Sequence, residues 1–169
     1  MKIRHYNAFV LPILLYNCEL WTMSRKLAKK INAFHRKQLR RILKVRWNPN
    51  TRVLMSNKTL YKITKQTEIT SVIRRRRLRW LGHMCRLHED TPAKKCINEY
   101  LRPVKKPIGR TPLTWIQVVN EDLKQLGLEE YQIKDQQSLK RLNVYAADRR
   151  RWREKTKNLI LDVEEPERR

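Results

Sequence analysis

The chain has 169 residues, enough for one domain or two small ones with a real core, and a hydrophobic fraction of 40% that is too high for wholesale disorder. Its formal charge of +24 is lopsided: residues 1–110 carry 28 Lys and Arg against 5 Asp and Glu, whereas residues 111–169 carry 12 against 11. Three Cys (Cys18, Cys85, Cys96) in so basic a chain argue against a secreted disulfide framework, and no apolar stretch approaches the roughly 20 residues that a membrane helix needs.

At the N-terminus, Lys2 and Arg4 precede the apolar run Ala8–Tyr16, a superficial likeness to a secretion signal. Pro12 interrupts the run, Tyr16 and Asn17 follow it, and no small-residue cleavage site appears. A structural element is expected there, in a protein that is not secreted.

From Ser24, a good N-cap, the pattern is helical, with Leu27, Ile31, Phe34, Ile42 and Val45 as the expected inward positions. The other faces hold Arg25, Lys26, Lys29, Lys30, Arg36, Lys37, Arg40, Arg41 and Lys44, and no acid falls between Glu19 and Glu68. An ordinary solvated helix face mixes signs to gain i,i+4 pairs; this one forgoes them. Asn48-Pro49-Asn50 is the expected break.

Ser56 marks a short second helix to about Lys65, with Leu60 and Ile63 inward. A longer helix is predicted over about Glu68 to Leu87, with Ile69, Val72, Ile73, Trp80, Leu81 and Met84 toward a core. The run Arg74-Arg75-Arg76-Arg77, followed by Arg79, crosses its middle. Four consecutive side chains on a helix point in all directions, so at least one arginine must lie near the apolar stripe and must snorkel, find an acid or meet a ligand.

Glu89-Asp90-Thr91-Pro92 reads as a turn into a helix ending near Tyr100. Residues 102–110 form a basic extended loop containing Lys105, Lys106 and Arg110, after which Thr111-Pro112 starts a helix carrying Trp115, Val118, Val119, Leu123 and Leu126 and stopping at Gly127. A linker-like stretch near Glu129–Gln137 leads to a last helix from about Val144 to Val163, then a fraying acidic tail. The expected architecture is all-α: an irregular helical bundle with a basic body over 1–126 and, over 127–169, a linker and C-terminal helical appendage.

Candidate chemistry is sparse. Metal-dependent nucleotidyl transfer needs clustered carboxylates, yet residues 1–110 offer only Glu19, Glu68, Glu89, Asp90 and Glu99. Neither His5 nor His35 has a marked catalytic partner, and no glycine-rich phosphate loop occurs, so no catalytic residue and no cofactor are assigned. His83, Cys85, His88 and Cys96 are zinc-ligand types, but His83 and Cys85 diverge on a helix and no C-x₂-C knuckle is present. They read as a satisfied polar histidine and a small buried cysteine rather than a metal site. Trp80, Trp115 and Trp152 fall at packing positions rather than on a base-stacking platform.

What remains is a phosphate-gripping surface, arginine-rich and without base-reading features. Its expected ligands are RNA, DNA or a hybrid duplex, bound through Arg25–Arg46, Arg74–Arg79 and Lys105–Arg110. Log affinity should fall linearly with log salt, losing slope when Arg74–Arg77 become Gln.

The ordered blocks also resemble a family. Val10-Leu-Pro-Ile-Leu-Leu-Tyr16 with Glu19 and Trp21 is similar to the segment after the polymerase palm in LINE-type, RTE-like non-LTR retrotransposon endonuclease–reverse transcriptases. The likeness continues through Phe34-His35-Arg36, Leu39-Arg40-Arg41-Ile42-Leu43, Arg75-Arg76-Arg77-Leu78-Arg79-Trp80-Leu81-Gly82-His83, Gly109-Arg110, Pro112, Trp115, Ala147-Asp148-Arg149 and Trp152-Arg153. Asn17-Cys18 replaces the usual Gly-Ser, and Thr111 stands where Pro is common. The resemblance implies a thumb and post-thumb fragment acting in a nuclear or cytoplasmic ribonucleoprotein. The polymerase palm with its YxDD box and the endonuclease would lie upstream, so this chain would not be an enzyme on its own. It also implies that Val10–Tyr16 packs on the palm and should expose apolar side chains without it.

Overall fold

The computed structural model describes residues 2–45, 55–101, 109 and 112–158. The chain is all-α, and no strand occurs among the described residues. It divides into two compact units, one comprising Met1–Cys18 with Met23–Ile73 and the other Glu19–Thr22 with Arg74–Arg169. Each is considered separately.

The first unit opens with α1 (Lys2–His5), a π-helical turn at Tyr6–Val10 and α2 (Leu11–Leu14). Leu11 N–H reaches back to Tyr6 C=O, the wide π spacing, immediately before Pro12, which has no N–H to give. Leu15 and Tyr6 turn inward, whereas Phe9, Val10, Ile13 and Tyr16 stay exposed.

Helix α3 (Arg25–Ile42) begins as expected: the Ser24 hydroxyl accepts from Leu27 N–H at 3.3 Å. It stops at Lys44, whose φ of 54° places a lysine in the left-handed position usually given to glycine. The inward face needs correction. Asn32, His35 and Leu39 are buried, with Ile42 half-buried beside them, while Leu27 and Phe34 are exposed. Polar partners made the difference. Asn32 donates to Glu68 Oε2 at 3.1 Å and Thr70 Oγ1 at 3.0 Å and accepts from Thr70 N–H at 3.2 Å, so its burial costs no unpaired group.

Helix α4 (Asn57–Thr64) is capped by Ser56, which accepts from Thr59 N–H at 3.1 Å. Leu60 and Thr64 face inward and the expected Ile63 is exposed, because Thr64 returns its hydroxyl proton to Leu60 C=O at 2.7 Å and hides there as an apolar-faced residue. Leu60, Leu39 and Tyr6 form the core. Against it, the His35 ring is stacked between Tyr6 and Tyr61, with Tyr6 Oη 2.8 Å from Nδ1.

Burial pushes the His35 pKa down to about 4, from an ordinary 6.5. The unfolded chain therefore binds a proton between those values that the native unit refuses. Stability is full above pH 6.5 and is lost progressively as the pH falls toward 4, by on the order of 3 kcal/mol for this group. Denaturant titrations across that range should show a flatter pH profile for His35→Gln than for wild type; parallel profiles would refute the assignment.

Helix α5 (Ile69–Cys85) begins in the first unit and continues into the second. The second unit adds α6 (Pro92–Tyr100), α7 (Trp115–Gln125), a 3₁₀ turn at Glu129–Tyr131, α8 (Gln136–Ala147) and α9 (Arg149–Asn158). Helix α7 starts three residues later than expected. Thr114 is the cap, accepting from Gln117 N–H at 3.3 Å while its own N–H donates to Gln117 Oε1 at 2.9 Å. Gly127 stops the helix as expected, with φ 69° and Leu128 N–H returning to Leu123 C=O.

The expected boundary at 126/127 does not coincide with the division of the chain. Leu128, Ile133, Leu139, Leu142, Tyr145, Ala146 and Trp152 share one core with Leu78, Leu81, Ile116, Val119 and Leu123. Nor is 129–137 a linker: the Asn120 amide donates to Ile133 C=O at 2.9 Å and accepts from Ile133 N–H at 2.7 Å. The single last helix is two, because Asp148 breaks the path and caps a new start, accepting from Arg150 and Arg151 N–H at 2.9 and 3.0 Å. Leu159 to Val163, the acidic tail and Asn48-Pro49-Asn50 lie outside the described residues.

Candidate nucleic-acid interface

On α3, successive side chains advance by about 100°, so Lys26, Lys30, Lys37 and Arg41 fall within one stripe opposite Asn32, His35 and Leu39. Those four, with Arg25, Lys29 and Lys44, are exposed. Lys26 to Arg41 spans about 22 Å, an interval in which duplex DNA carries roughly 13 phosphates, so a backbone in register meets more anions than the stripe has cations. Arg36 and Arg40 are half-buried and partly committed within the unit. Arg36 lies 3.6 Å from Glu68, and Arg40 donates to Met55 C=O and Asn57 Oδ1 at 3.2 and 2.7 Å.

The arginine run on α5 splits by direction. Arg77 is 4% exposed, and its Nε donates to Asp122 Oδ2 at 2.6 Å while another nitrogen reaches Trp21 C=O at 2.9 Å. Arg74 takes the other oxygen of Asp122 at 3.1 Å. Burial pushes the Asp122 carboxyl upward and the guanidiniums of Arg77 and Arg74 pull it back. The apolar side of the run thus finds an acid, one of the three outcomes its periodicity allowed.

Arg77 is therefore corrected from a surface cation to an internal ion pair, and Arg74 is largely so. An Arg74–Arg77→Gln variant would report unfolding rather than binding. Arg76 and Arg79 face outward, and Arg75 is half-buried, with its charge disfavoured by burial and by Arg79 and Arg76. Lys105, Lys106 and Arg110 lie outside the described residues.

The zinc-type residues are not brought together. Cys85 is buried, with its thiol pushed up to about 11 by desolvation, whereas His83, His88 and Cys96 are exposed. No group of three or more His, Cys, Asp or Glu that could hold a metal occurs among the described residues. Glu68 serves Asn32 and Arg36, and Glu89 and Asp90 lie on the exposed turn before α6.

Sequence reasoning missed two polar residues that fix this frame. Asp122 had no local signal, since its partners lie 45 and 48 residues away. Lys94, 1% exposed, donates to the last carbonyls of α5, Met84 and Cys85, at 3.4 and 3.3 Å. Trp80, Trp115 and Trp152 all pack on the second unit's core, and Trp115 Nε1 donates to Glu19 C=O at 2.8 Å.

No family model matches the chain, and no solved structure does. It is 22% identical over 125 residues to an uncharacterized transposon-derived protein of Caenorhabditis elegans. The match covers 73% of this chain and 44% of that protein, so the chain spans less than half the length of the curated relative it matches. The similarity supports a transposon-related origin for the chain.

Proposed function

We propose that the chain binds nucleic acid through backbone phosphates, as the thumb and post-thumb portion of a LINE-type, RTE-like reverse transcriptase. In that role it clamps template RNA and primer DNA for target-primed reverse transcription catalysed by domains upstream of it. The observation that carries the reading is the outward stripe of α3, where Lys26, Lys30, Lys37 and Arg41 align with no acid on the helix. A cost in self-repulsion with no internal compensation is relieved by a polyanion. The transposon-derived relative and the ordered motif blocks supply the evolutionary setting.

Salt dependence of duplex binding tests the reading. Fluorescence anisotropy of the full chain with an RNA–DNA hybrid should give a linear fall of log affinity with log salt. Converting Lys26, Lys30, Lys37 and Arg41 to Gln should reduce the slope by about 3 to 4. Salt-independent binding, or none, would end the proposal. The exposed Phe9, Val10, Ile13 and Tyr16 favour an additional protein contact, the polymerase palm on this reading. A domesticated remnant working through that face alone is the alternative, and it would leave hybrid binding weak and indifferent to the α3 substitutions.

A further inference from the structure

Helix α9 holds Arg149, Arg150, Arg151, Arg153, Lys155 and Lys157 against one acid, Glu154. The neutrality of residues 111–169 comes from acids elsewhere, at Glu121–Asp135, Asp148 and residues 162–167. Within its unit α9 is anchored by one side only. Trp152 and Thr156, one turn apart, are buried, and Trp152 Nε1 donates to Leu78 C=O on α5 at 2.9 Å. One flank presents Arg150, Arg153 and Lys157 at i, i+3 and i+7 within a stripe about 60° wide, all exposed, while Glu154 lies opposite Trp152 and Thr156. Such like-charge neighbours destabilise a helix by a few tenths of a kcal/mol per pair. Among the described residues the Arg150–Glu154 contact of 3.6 Å offsets part of this on that flank, and Arg151 lies elsewhere on the helix, 4.6 Å over the Tyr145 ring.

The cationic surface continues onto the end of α5. Arg86, just past Cys85, donates to Ala146 C=O at 2.8 Å, which ties it to the α8–α9 junction. Arg149 is near enough to disfavour its charge, behind the larger effect of burial.

We propose that α9, with Arg86 and Arg149 at its base, is a second phosphate-backbone contact that lies within the Arg74–Arg169 unit and binds nucleic acid independently of α3. The inference rests on the proposed function for the class of ligand. It adds a site in the part of the chain whose net charge is close to zero. An anionic membrane is the poorer fit, because among the described residues of α9 the apolar side, at Trp152, is buried in the core.

The test uses the full chain, a 20-bp DNA duplex and anisotropy across a salt series. Arg150→Gln, Arg153→Gln and Lys157→Gln together should lower the slope by about 2 to 3, additively with the α3 substitutions. Replacing Arg150 and Arg153 by Lys should preserve the slope, since charge is what the site uses. If the α3 substitutions lower the slope and the α9 substitutions do not, this inference falls and the proposed function stands. If wild type does not bind duplex, both fall. A slope lost equally in the Lys and Gln forms, or α9-dependent binding to phosphatidylglycerol vesicles with duplex binding unchanged, would also overturn it.

Discussion

Asp122→Ala is expected to destabilise the second unit by about 3–5 kcal/mol, because it leaves a buried guanidinium without its counter-charge. Arg77 is 4% exposed and, among the described residues, would keep the Trp21 carbonyl, at 2.9 Å, as its remaining acceptor. Arg74 would lose its partner at the same time. The loss far exceeds that of a surface pair, which is worth at most about 1 kcal/mol.

Four of the five Trp, at 21, 80, 115 and 152, lie in this unit, so tryptophan emission during denaturant unfolding reads it preferentially. A double variant, Asp122→Leu with Arg77→Met, should recover most of the loss, since an apolar pair of similar volume carries no desolvation penalty. An Asp122→Ala midpoint unchanged from wild type would mean that the pair is not internal. The triad also sets the register of the arginine run: with Arg77 and Arg74 held by Asp122, Arg76 and Arg79 are left facing water.

That arrangement marks the limit of what the sequence discloses. Features encoded within one helical turn were legible. Ser24 and Ser56 cap the N–H three residues on, and Gly127 takes the positive φ that ends α7. Helix α5 followed its periodicity too, with Ile69, Ile73, Leu81 and Met84 buried.

Features decided by distant polar partners were not legible. Periodicity turned α3 toward Leu27 and Phe34, but Asn32 and His35 have partners 29 to 38 residues away that make their burial favourable. The basic face of α3 was legible because it needed only the absence of acids. That of α9 was concealed, because charge counted over 59 residues averages a cationic helix with acidic loops. The break at Asp148 was hidden for a similar reason: an apolar pattern on either side of a capping residue reads as one helix until the cap is seen to bond forward.

Gly82→Ala should cost about 3–4 kcal/mol, although Ala in a helix interior normally gains nearly 1 over Gly. A Cβ at position 82 would fall inside the Trp152 indole, 2.7 Å from Cε2 and closer still to Nε1. The indole would have to withdraw, giving up its bond to Leu78 C=O and its place in the core. In a Trp152→Phe background, where the smaller ring has already given up that bond, the same substitution should cost about 2 kcal/mol less; equal costs in the two backgrounds would show that the two residues are not coupled. The consequence extends to binding. On the proposed second contact, Trp152 fastens α9 to α5, so Gly82→Ala, measured where circular dichroism shows the chain still folded, should weaken duplex binding although it removes no charge. Glycine and tryptophan, 70 positions apart, would then fix where the cations of α9 stand.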